Sequence, residues 1–234
     1  MRPYDPLAHY AAMSERSDVD PRLYERLPVT DGRSPEAMSL FAAAIEAARG
    51  GSLIAMCRCA QFYRSGWGVD QNLPECVEWS RRAAATGYGP GNFELGRCYE
   101  EGSCIKSMQA AIEQYEAAAE AGYGHAALHL SLIYAVGPES VPRDVDRAVQ
   151  LASLASALGD PIAPYELGMW FESGEGVQPD EFIARSWYSI AASRGNNFAC
   201  LRLSLAYQKS DLGLPHDLRR ADQFRALSEA ADVP

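Results

Sequence analysis

The sequence predicts an all-α fold, a solenoid of about five helix-pair repeats with capping helices. Three observations lead to this prediction. An aromatic residue recurs every 35 to 37 residues, a glycine follows most of these aromatics by three positions, and apolar residues within each period are spaced four and eight apart. A fixed period of this length is typical of repeat proteins, in which each unit buries its apolar face by stacking on its neighbours.

The first helix of each repeat is defined by three positions on one helical face, since spacings of four and eight residues bring side chains to the same side. A small residue comes first, at Ala55, Gly91, Ala126, Ala163 and Ala199. Four residues later stands Cys59, Leu95, Leu130, Leu167 or Leu203, and after four more Tyr63, Tyr99, Tyr134, Phe171 or Tyr207. A glycine three residues further on ends the helix in the left-handed conformation, except in the fifth repeat, which has Ser210.

The second helix repeats with the same period. It carries a large residue at Trp79, Tyr115, Leu151, Trp187 and Phe224. The tryptophans at repeat positions, Trp79, Trp170 and Trp187, are expected to lie in the core. A small or apolar residue stands three positions before each large residue of the second helix and a small residue four positions after, so the three share a face. The first four copies close on Gly87, Gly122, Gly159 and Gly195. Each repeat is therefore predicted to be helix, turn, helix, turn.

The chain is predicted to have three segments. Residues 1–34 fit no repeat and are predicted to form an N-terminal cap or a partly ordered segment. Residues 35–51 are predicted to be a lone capping helix, with Phe41 and Ile45 on one face. Residues 52–234 contain the five repeats, at about 52–88, 89–124, 125–160, 161–196 and 197–231.

The fourth repeat carries the motif that resembles a known family most strongly. From Tyr165 to Val177 the chain reads YELGMWFESGEGV, and ARSWY and AASRG follow at 184–188 and 191–195. This pattern resembles the Sel-one-like repeat (SLR) proteins, relatives of the tetratricopeptide repeats, over about residues 52–231. The resemblance implies a right-handed α/α superhelical solenoid. For function it implies protein binding, because the family contains adaptors, secreted virulence factors and regulators.

The charge of the chain argues against nucleic-acid binding, which needs a basic patch to displace counterions from phosphates. The formal net charge is -10, and residues 89–124 and 160–196 carry -4 each, whereas residues 197–234 balance five acids with five bases. The acidity indicates either a solvated surface that keeps the protein soluble or a partner with a basic surface.

The remaining composition predicts a cytoplasmic protein without membrane contact. No apolar run approaches the length of a membrane span, and the residues after Met1 lack the apolar stretch of a secretory signal. Six cysteines are predicted to be reduced and buried rather than paired. Cys57 and Cys59 are separated by one residue, which is too close for the usual zinc spacing.

Three patterns that are typical of enzymes occur in the sequence, and each has a simpler interpretation. Ser103 to Lys106 matches the Ser-x-x-Lys motif of penicillin-recognising enzymes, but it follows a helix-ending glycine and its partner motifs are missing. His125 and His129 stand four apart, yet two ligands do not make a metal site. Glu172 and Glu175 could be the carboxylate pair of a glycoside hydrolase, but the repeat motif explains both more simply as residues of its turn. The sequence therefore predicts no enzyme, cofactor or metal site.

The predicted function is a non-enzymatic scaffold or adaptor that receives another protein in the concave face of the solenoid, which the first helices line. Trp67 lies between two loop glycines and is predicted either to anchor a partner through an exposed indole or to pack against the next repeat. Two alternatives are a bacterial immunity protein that neutralises a toxin and a β-lactam-binding or hydrolysing enzyme. The candidate partner-binding residues are Arg58, Gln61, Trp67, Glu94, Arg97, His125, His129, Glu166, Met169 and Arg202.

Overall fold

The structure is a computed structural model that describes residues 33–103, 105–138 and 140–230. Within these residues it contains eleven α-helices and no β-strand, which confirms the predicted all-α class. The predicted N-terminal cap lies outside the described residues, except for its last two. The helices are α1 (Pro35–Arg49), α2 (Leu53–Ser65), α3 (Leu73–Ala84), α4 (Gly89–Glu101), α5 (Met108–Glu120), α6 (Gly124–Val136), α7 (Val145–Ala157), α8 (Ala163–Ser173), α9 (Glu181–Ser193), α10 (Asn197–Lys209) and α11 (Leu218–Ala230).

The chain forms two compact units, with the division inside α6. The N-terminal unit holds the described residues up to 130, together with 140 and 141. The C-terminal unit holds residues 131–138 and 142–230. In the part of the chain that the structure describes, no helix is long and apolar enough to cross a membrane.

The helix ends follow directly from the local sequence. Second helices begin at a residue whose side chain accepts a hydrogen bond from the backbone N–H three residues later, namely Asn72, Ser107, Asp144 and Asp180. First helices end on a left-handed glycine, as at Gly174 with φ 71°. In the fifth repeat Ser210 adopts the same left-handed conformation, with φ 55°. The turn is therefore kept without its glycine.

The core of the N-terminal unit forms where α2, α3 and α4 meet. Cys59, Cys76, Trp79, Leu95 and Cys98 are buried together there. α1 packs on α2 through Phe41, whose ring lies 6.0 Å from that of Phe62 and 5.2 Å from that of Tyr63. The five cysteines among the described residues are free and buried, as predicted for them, and Cys104 lies outside that part of the chain. Burial raises the pKa of Cys59 to about 12, so this thiol stays protonated at neutral pH.

The core of the C-terminal unit is built from α8, α9, α10 and the loop after α10. Ala184, Tyr188, Leu203 and Leu212 are among its buried residues. The predicted leucine stripe is confirmed in both units, since Leu95, Leu130, Leu167 and Leu203 are 6%, 0%, 0% and 1% exposed. Of the tryptophans at repeat positions, Trp79 and Trp170 are buried, whereas Trp187 is only half-buried.

Candidate partner-binding face

Half of the predicted partner-binding residues occupy one register of the first helix, three positions after the small residue. We call this set the polar row: Arg58, Glu94, His129, Glu166 and Arg202. Three of its members belong to the N-terminal unit and two to the C-terminal unit. Their surroundings decide which of them can meet a partner.

Glu94 is buried in the N-terminal unit and bonds to two side chains of the preceding repeat. It is 1% exposed and forms an ion pair with Arg64 at the end of α2. The Gln61 side chain also donates a hydrogen bond to it, at 2.7 Å. Burial alone would raise the pKa of Glu94, but the charges of Arg64 and Arg97 and the bond from Gln61 outweigh burial and lower it. The carboxylate is therefore charged at neutral pH and holds α2 to α4.

His129 belongs to a second hydrogen-bonded cluster in the same unit, which also contains Glu100 and Tyr115. Its Nε2 lies 2.9 Å from Oε2 of Glu100, and the Tyr115 hydroxyl donates to the same oxygen at 2.5 Å. Burial would raise the pKa of Glu100, but the contacts with His129 and Tyr115 outweigh it, so the pKa is lowered. Gly96 makes this arrangement possible, because a Cβ there would lie 2.6 Å from the Tyr115 ring.

The same arrangement recurs in the C-terminal unit. The Tyr188 hydroxyl donates to Glu172 at 2.6 Å, and Nε of Arg202 lies 3.0 Å from both oxygens of that carboxylate. Arg202 also donates to Asp211 at 2.6 Å. Gly168 stands where Gly96 stands in the second repeat, and a Cβ on it would lie 2.7 Å from the Tyr188 ring. A second-helix tyrosine, a first-helix glutamate and the next repeat's polar-row residue thus form one recurring group.

One rule of register describes these contacts. At three of the four junctions between repeats, the residue nine positions after the small residue of one repeat bonds to the polar-row residue of the next, namely Arg64 to Glu94, Glu100 to His129 and Glu172 to Arg202. The third repeat has Ala135 at that position. Arg64, Glu100, Tyr115 and Tyr188 were not among the site residues predicted from the sequence. Their common register is the signal from which they can be found. Glu94, His129 and Arg202 of the polar row therefore join successive repeats.

The structure corrects the expectation that the candidate residues off the core stripe are available at the surface. Glu94, His125 and Glu166 are 1%, 2% and 0% exposed. The ring of His125 lies 5.2 Å from that of Phe93, so this side chain is part of an aromatic cluster. The expectation fails because the first helices are enclosed by their neighbours over more of their circumference than the core stripe indicates.

The structure also decides against one of the two predictions for Trp67, that its indole is exposed. Its indole is 8% exposed and stacks on Phe62 with ring centres 5.3 Å apart. Gly68 lies so close to the Ala37 backbone that a Cβ on it would meet that carbonyl oxygen at 2.4 Å. The loop is therefore folded onto α1 and α2, and the hypothesis of an exposed indole anchor is wrong.

The remaining candidates are half-buried and retain accessible surface. They are Arg58, Gln61, Arg97, His129, Met169 and Arg202. The Arg97 side chain is 39% exposed and pairs with Glu101 on its own helix at 2.8 Å. Met169 packs against the core of the C-terminal unit with part of its surface open. Arg58, Gln61, Arg97 and His129 are the accessible first-helix residues of the N-terminal unit, and Met169 and Arg202 are those of the C-terminal unit. We call each set the open face of its unit.

The patterns that are typical of enzymes lie in ordinary structural surroundings. Lys106 is exposed in the loop between α4 and α5. Glu172 is bonded to Tyr188 and Arg202, while Glu175 is exposed in the loop after α8. Among the described residues, no three metal-ligating side chains form a cluster that fits a metal ion.

The helix pairs and their recurring contacts define a helical repeat protein. The family model for the Sel1 repeat matches residues 53–88, 89–123, 124–160, 161–196 and 197–221. The chain therefore belongs to the Sel1 repeat family.

Two curated relatives are fungal regulators. "Chitin synthase regulatory factor 3" of Schizosaccharomyces pombe is 34% identical over 149 residues, which are 62% of this chain and 16% of the relative. "Chitin synthase regulator SKT5" of Saccharomyces cerevisiae is 32% identical over 159 residues, 63% of this chain and 23% of the relative. The chain thus spans less than a quarter of the length of either relative.

Two solved structures have a similar fold. A Sel1 repeat protein from Oxalobacter formigenes has a TM-score of 0.69 and 31% identity, and the match covers 84% of this chain and 80% of that one. An immunity protein from Pseudomonas aeruginosa has a TM-score of 0.62 and 22% identity, covering 99% and 84%. At this identity the likeness to the immunity protein concerns the fold alone.

Proposed function

We propose that the chain is a non-enzymatic scaffold that binds a partner protein through its open faces. The observation that carries this proposal is the identity of 34% and 32% to two proteins that are described as chitin synthase regulators. A regulator of an enzyme acts by contact with another protein, and helix-pair repeats present extended surfaces suited to such contact. The repeats of this chain would supply the binding part of that role.

The charge of the chain favours a partner with a basic surface. The net charge is -10, and Glu101, Glu113 and Glu120 are exposed on α4 and α5. Exposed like charges of this kind accelerate the approach of an oppositely charged partner, and salt weakens the effect. The buried carboxylates Glu94 and Glu166 are not part of this surface.

A reducing compartment such as the cytoplasm is part of the same proposal. The five cysteines among the described residues are free thiols, and secreted proteins usually pair theirs. The immunity alternative gains no support beyond the fold, because the immunity protein that this chain resembles is 22% identical. No observation on the described residues supports the β-lactam alternative.

A photo-crosslinking amino acid placed on the open face of the N-terminal unit tests the proposal. In native cells we expect position 97 on α4 to crosslink to one recurrent protein upon irradiation, because its side chain is 39% exposed on the first-helix side. The matched control is position 82 on α3, another arginine, whose side chain is 53% exposed on a second helix. Crosslinked species are identified by mass spectrometry. Equal capture from both positions, or capture from position 82 alone, would contradict binding through this open face.

A further inference from the structure

Two buried cysteines face each other between the first and second repeats. Cys76 lies in the first turn of α3 and Cys98 in the last turn of α4, and their Sγ atoms are 3.5 Å apart. Both residues are 0% exposed, and the Ser80 hydroxyl lies 3.7 Å from Sγ of Cys98. A disulfide bond is about 2.05 Å long, so the two sulfurs need to approach each other by about 1.5 Å to form one.

Packing alone does not require cysteine at these two positions. Cys76 stands three residues before the large residue of its second helix, and Cys98 stands seven residues after the small residue of the next first helix. The later repeats fill the same two registers with buried apolar residues, namely Ile112 and Ile133, Ala148 and Trp170, and Ala184 and Ala206. The thiol pair therefore belongs to the first junction, and its reactivity distinguishes it from the apolar pairs.

The surroundings of Cys76 favour its thiolate, the form of a cysteine that reacts with oxidants. With Cys98 as the donor, the hydrogen bond between the sulfurs lowers the pKa of Cys76, while burial opposes this effect and the charge of Arg64 supports it. The same bond raises the pKa of Cys98, so that this thiol keeps its proton. Burial raises the pKa of both Cys57 and Cys200. Cys76 is therefore the thiol that reacts first, and Cys98 is the neighbour that can react with the product.

We propose that Cys76 and Cys98 are a site of reversible oxidation, at which hydrogen peroxide converts the two thiols into a disulfide bond. The Cys76 thiolate attacks one oxygen of the peroxide, the O–O bond breaks, and Cys76 becomes a sulfenic acid. The hydroxide that leaves takes up the proton that Cys76 gave up. The Cys98 sulfur then attacks the Cys76 sulfur, the S–O bond breaks, and the proton of Cys98 leaves with that oxygen as water. The two thiols lose two electrons, and the peroxide is reduced to two molecules of water.

The disulfide bond joins the second helix of one repeat to the first helix of the next. Its cysteines are 22 positions apart, and closing this loop restricts the unfolded chain, so the oxidised protein resists unfolding. Both thiols are 0% exposed, so peroxide reaches them through local opening, and their oxidation is expected to be slower than that of an exposed thiol. Thiol reductants reverse the reaction by exchange, which makes the bond dependent on the redox state of the surroundings.

Peptide mapping of the wild type after exposure to hydrogen peroxide tests this proposal. The folded, reduced chain is treated with peroxide, and its remaining thiols are alkylated in denaturant. A glutamate-specific protease then separates Cys98 from Cys104 at Glu100 and Glu101, and the peptides are identified by mass spectrometry. We expect one pair of peptides linked through Cys76 and Cys98, which dithiothreitol separates. Chain that is unfolded before the peroxide is added is the control, and it is expected to show no preference for this pair.

The midpoint of thermal unfolding is the second measurement. Peroxide is expected to raise it in the wild type and in Cys200→Ser, and to leave it unchanged in Cys76→Ser. Cys200 is the matched control, because it is 2% exposed in the C-terminal unit. Alkylation of both Cys76 and Cys98 after treatment of the folded chain, a link through another cysteine, or an equal rise in Cys76→Ser would overturn the proposal. The peptide map of the wild type needs no variant, so it is decisive even if Cys76→Ser does not fold. Neither measurement depends on partner binding at the open faces.

Discussion

Replacement of Arg64 by methionine is expected to lower the free energy of unfolding by about 3–5 kcal/mol, because it leaves the Glu94 charge buried without its counter-ion. Glu94 is 1% exposed, and the Gln61 amide is the remaining donor that bonds to it. Methionine keeps most of the apolar stem of arginine, so the effect reports the charge rather than a cavity. Urea denaturation of both proteins at neutral pH measures the difference.

The dependence of this difference on pH identifies its cause. The folded pKa of Glu94 lies below its ordinary value of 4.5, so the stability it contributes is complete above that value and is lost as the pH falls through the folded pKa. In the variant, burial still raises the pKa of Glu94, and Arg97 and Gln61 oppose it without the help of Arg64, so this pKa is expected to be higher than in the wild type. Acidification then neutralises Glu94 at little cost, and the gap between wild type and variant is expected to shrink below neutral pH.

Two controls separate a buried charge from a general loss of arginine. Arg82 pairs with Glu78 at 2.9 Å on the exposed side of α3, and Arg82→Met is expected to cost less than about 1 kcal/mol. Adding Glu94→Leu to the Arg64 variant is expected to recover much of the loss, since the uncompensated charge is then removed. A loss of similar size in the Arg82 and Arg64 variants would show that the pair between α2 and α4 is not the cause.

Leu167→Ala is expected to lower the free energy of unfolding by about 2–5 kcal/mol, the usual cost of deleting a buried leucine side chain. Leu167 is 0% exposed in the C-terminal unit and stands in the leucine stripe that the period predicts. Leu154→Ala is the matched control, because Leu154 is 43% exposed in the same unit. Equal denaturation midpoints for the wild type and the Leu167 variant would mean that the stripe does not hold the repeats together.

The sequence alone was sufficient to predict the repeats, because their signal is local. Leu167 and Leu203 mark a helical face by spacing within a single helix, and the same spacing repeats along the chain. The left-handed turn at Ser210 does not follow from the residue type, since the other repeats have a glycine there. The backbone around it nevertheless holds serine at φ 55°. Stacking of the flanking helices thus outweighs the preference of one residue.

The open faces were predicted less well, because exposure depends on contacts between helices that are far apart in sequence. Glu94 lies off the core stripe of its own helix, yet Arg64 reaches it from thirty residues away. Trp67 stands in a loop, where a tryptophan is commonly exposed, but two flanking glycines fold the loop onto α1 and α2. A side chain on the far face of one helix can therefore still lie inside the protein.

The contacts between repeats become visible once the helices are aligned by register. At three of the four junctions, positions nine and three after the small residue carry complementary groups in successive repeats, as in Glu172 and Arg202. Charge alone did not reveal this, since both acids and bases occur at each position. The relation lies between one repeat and the next, so it cannot be read within a single period.

Amide hydrogen exchange of the chain, with and without the protein that crosslinks from position 97, tests the central claim most directly. It reports each helix separately without any substitution in the chain. Binding through the open faces predicts slower exchange in the first helices, with α2, α4 and α8 protected and the second helices α3, α7 and α9 unchanged. Protection confined to the second helices, or no change on addition of the partner, would contradict the account.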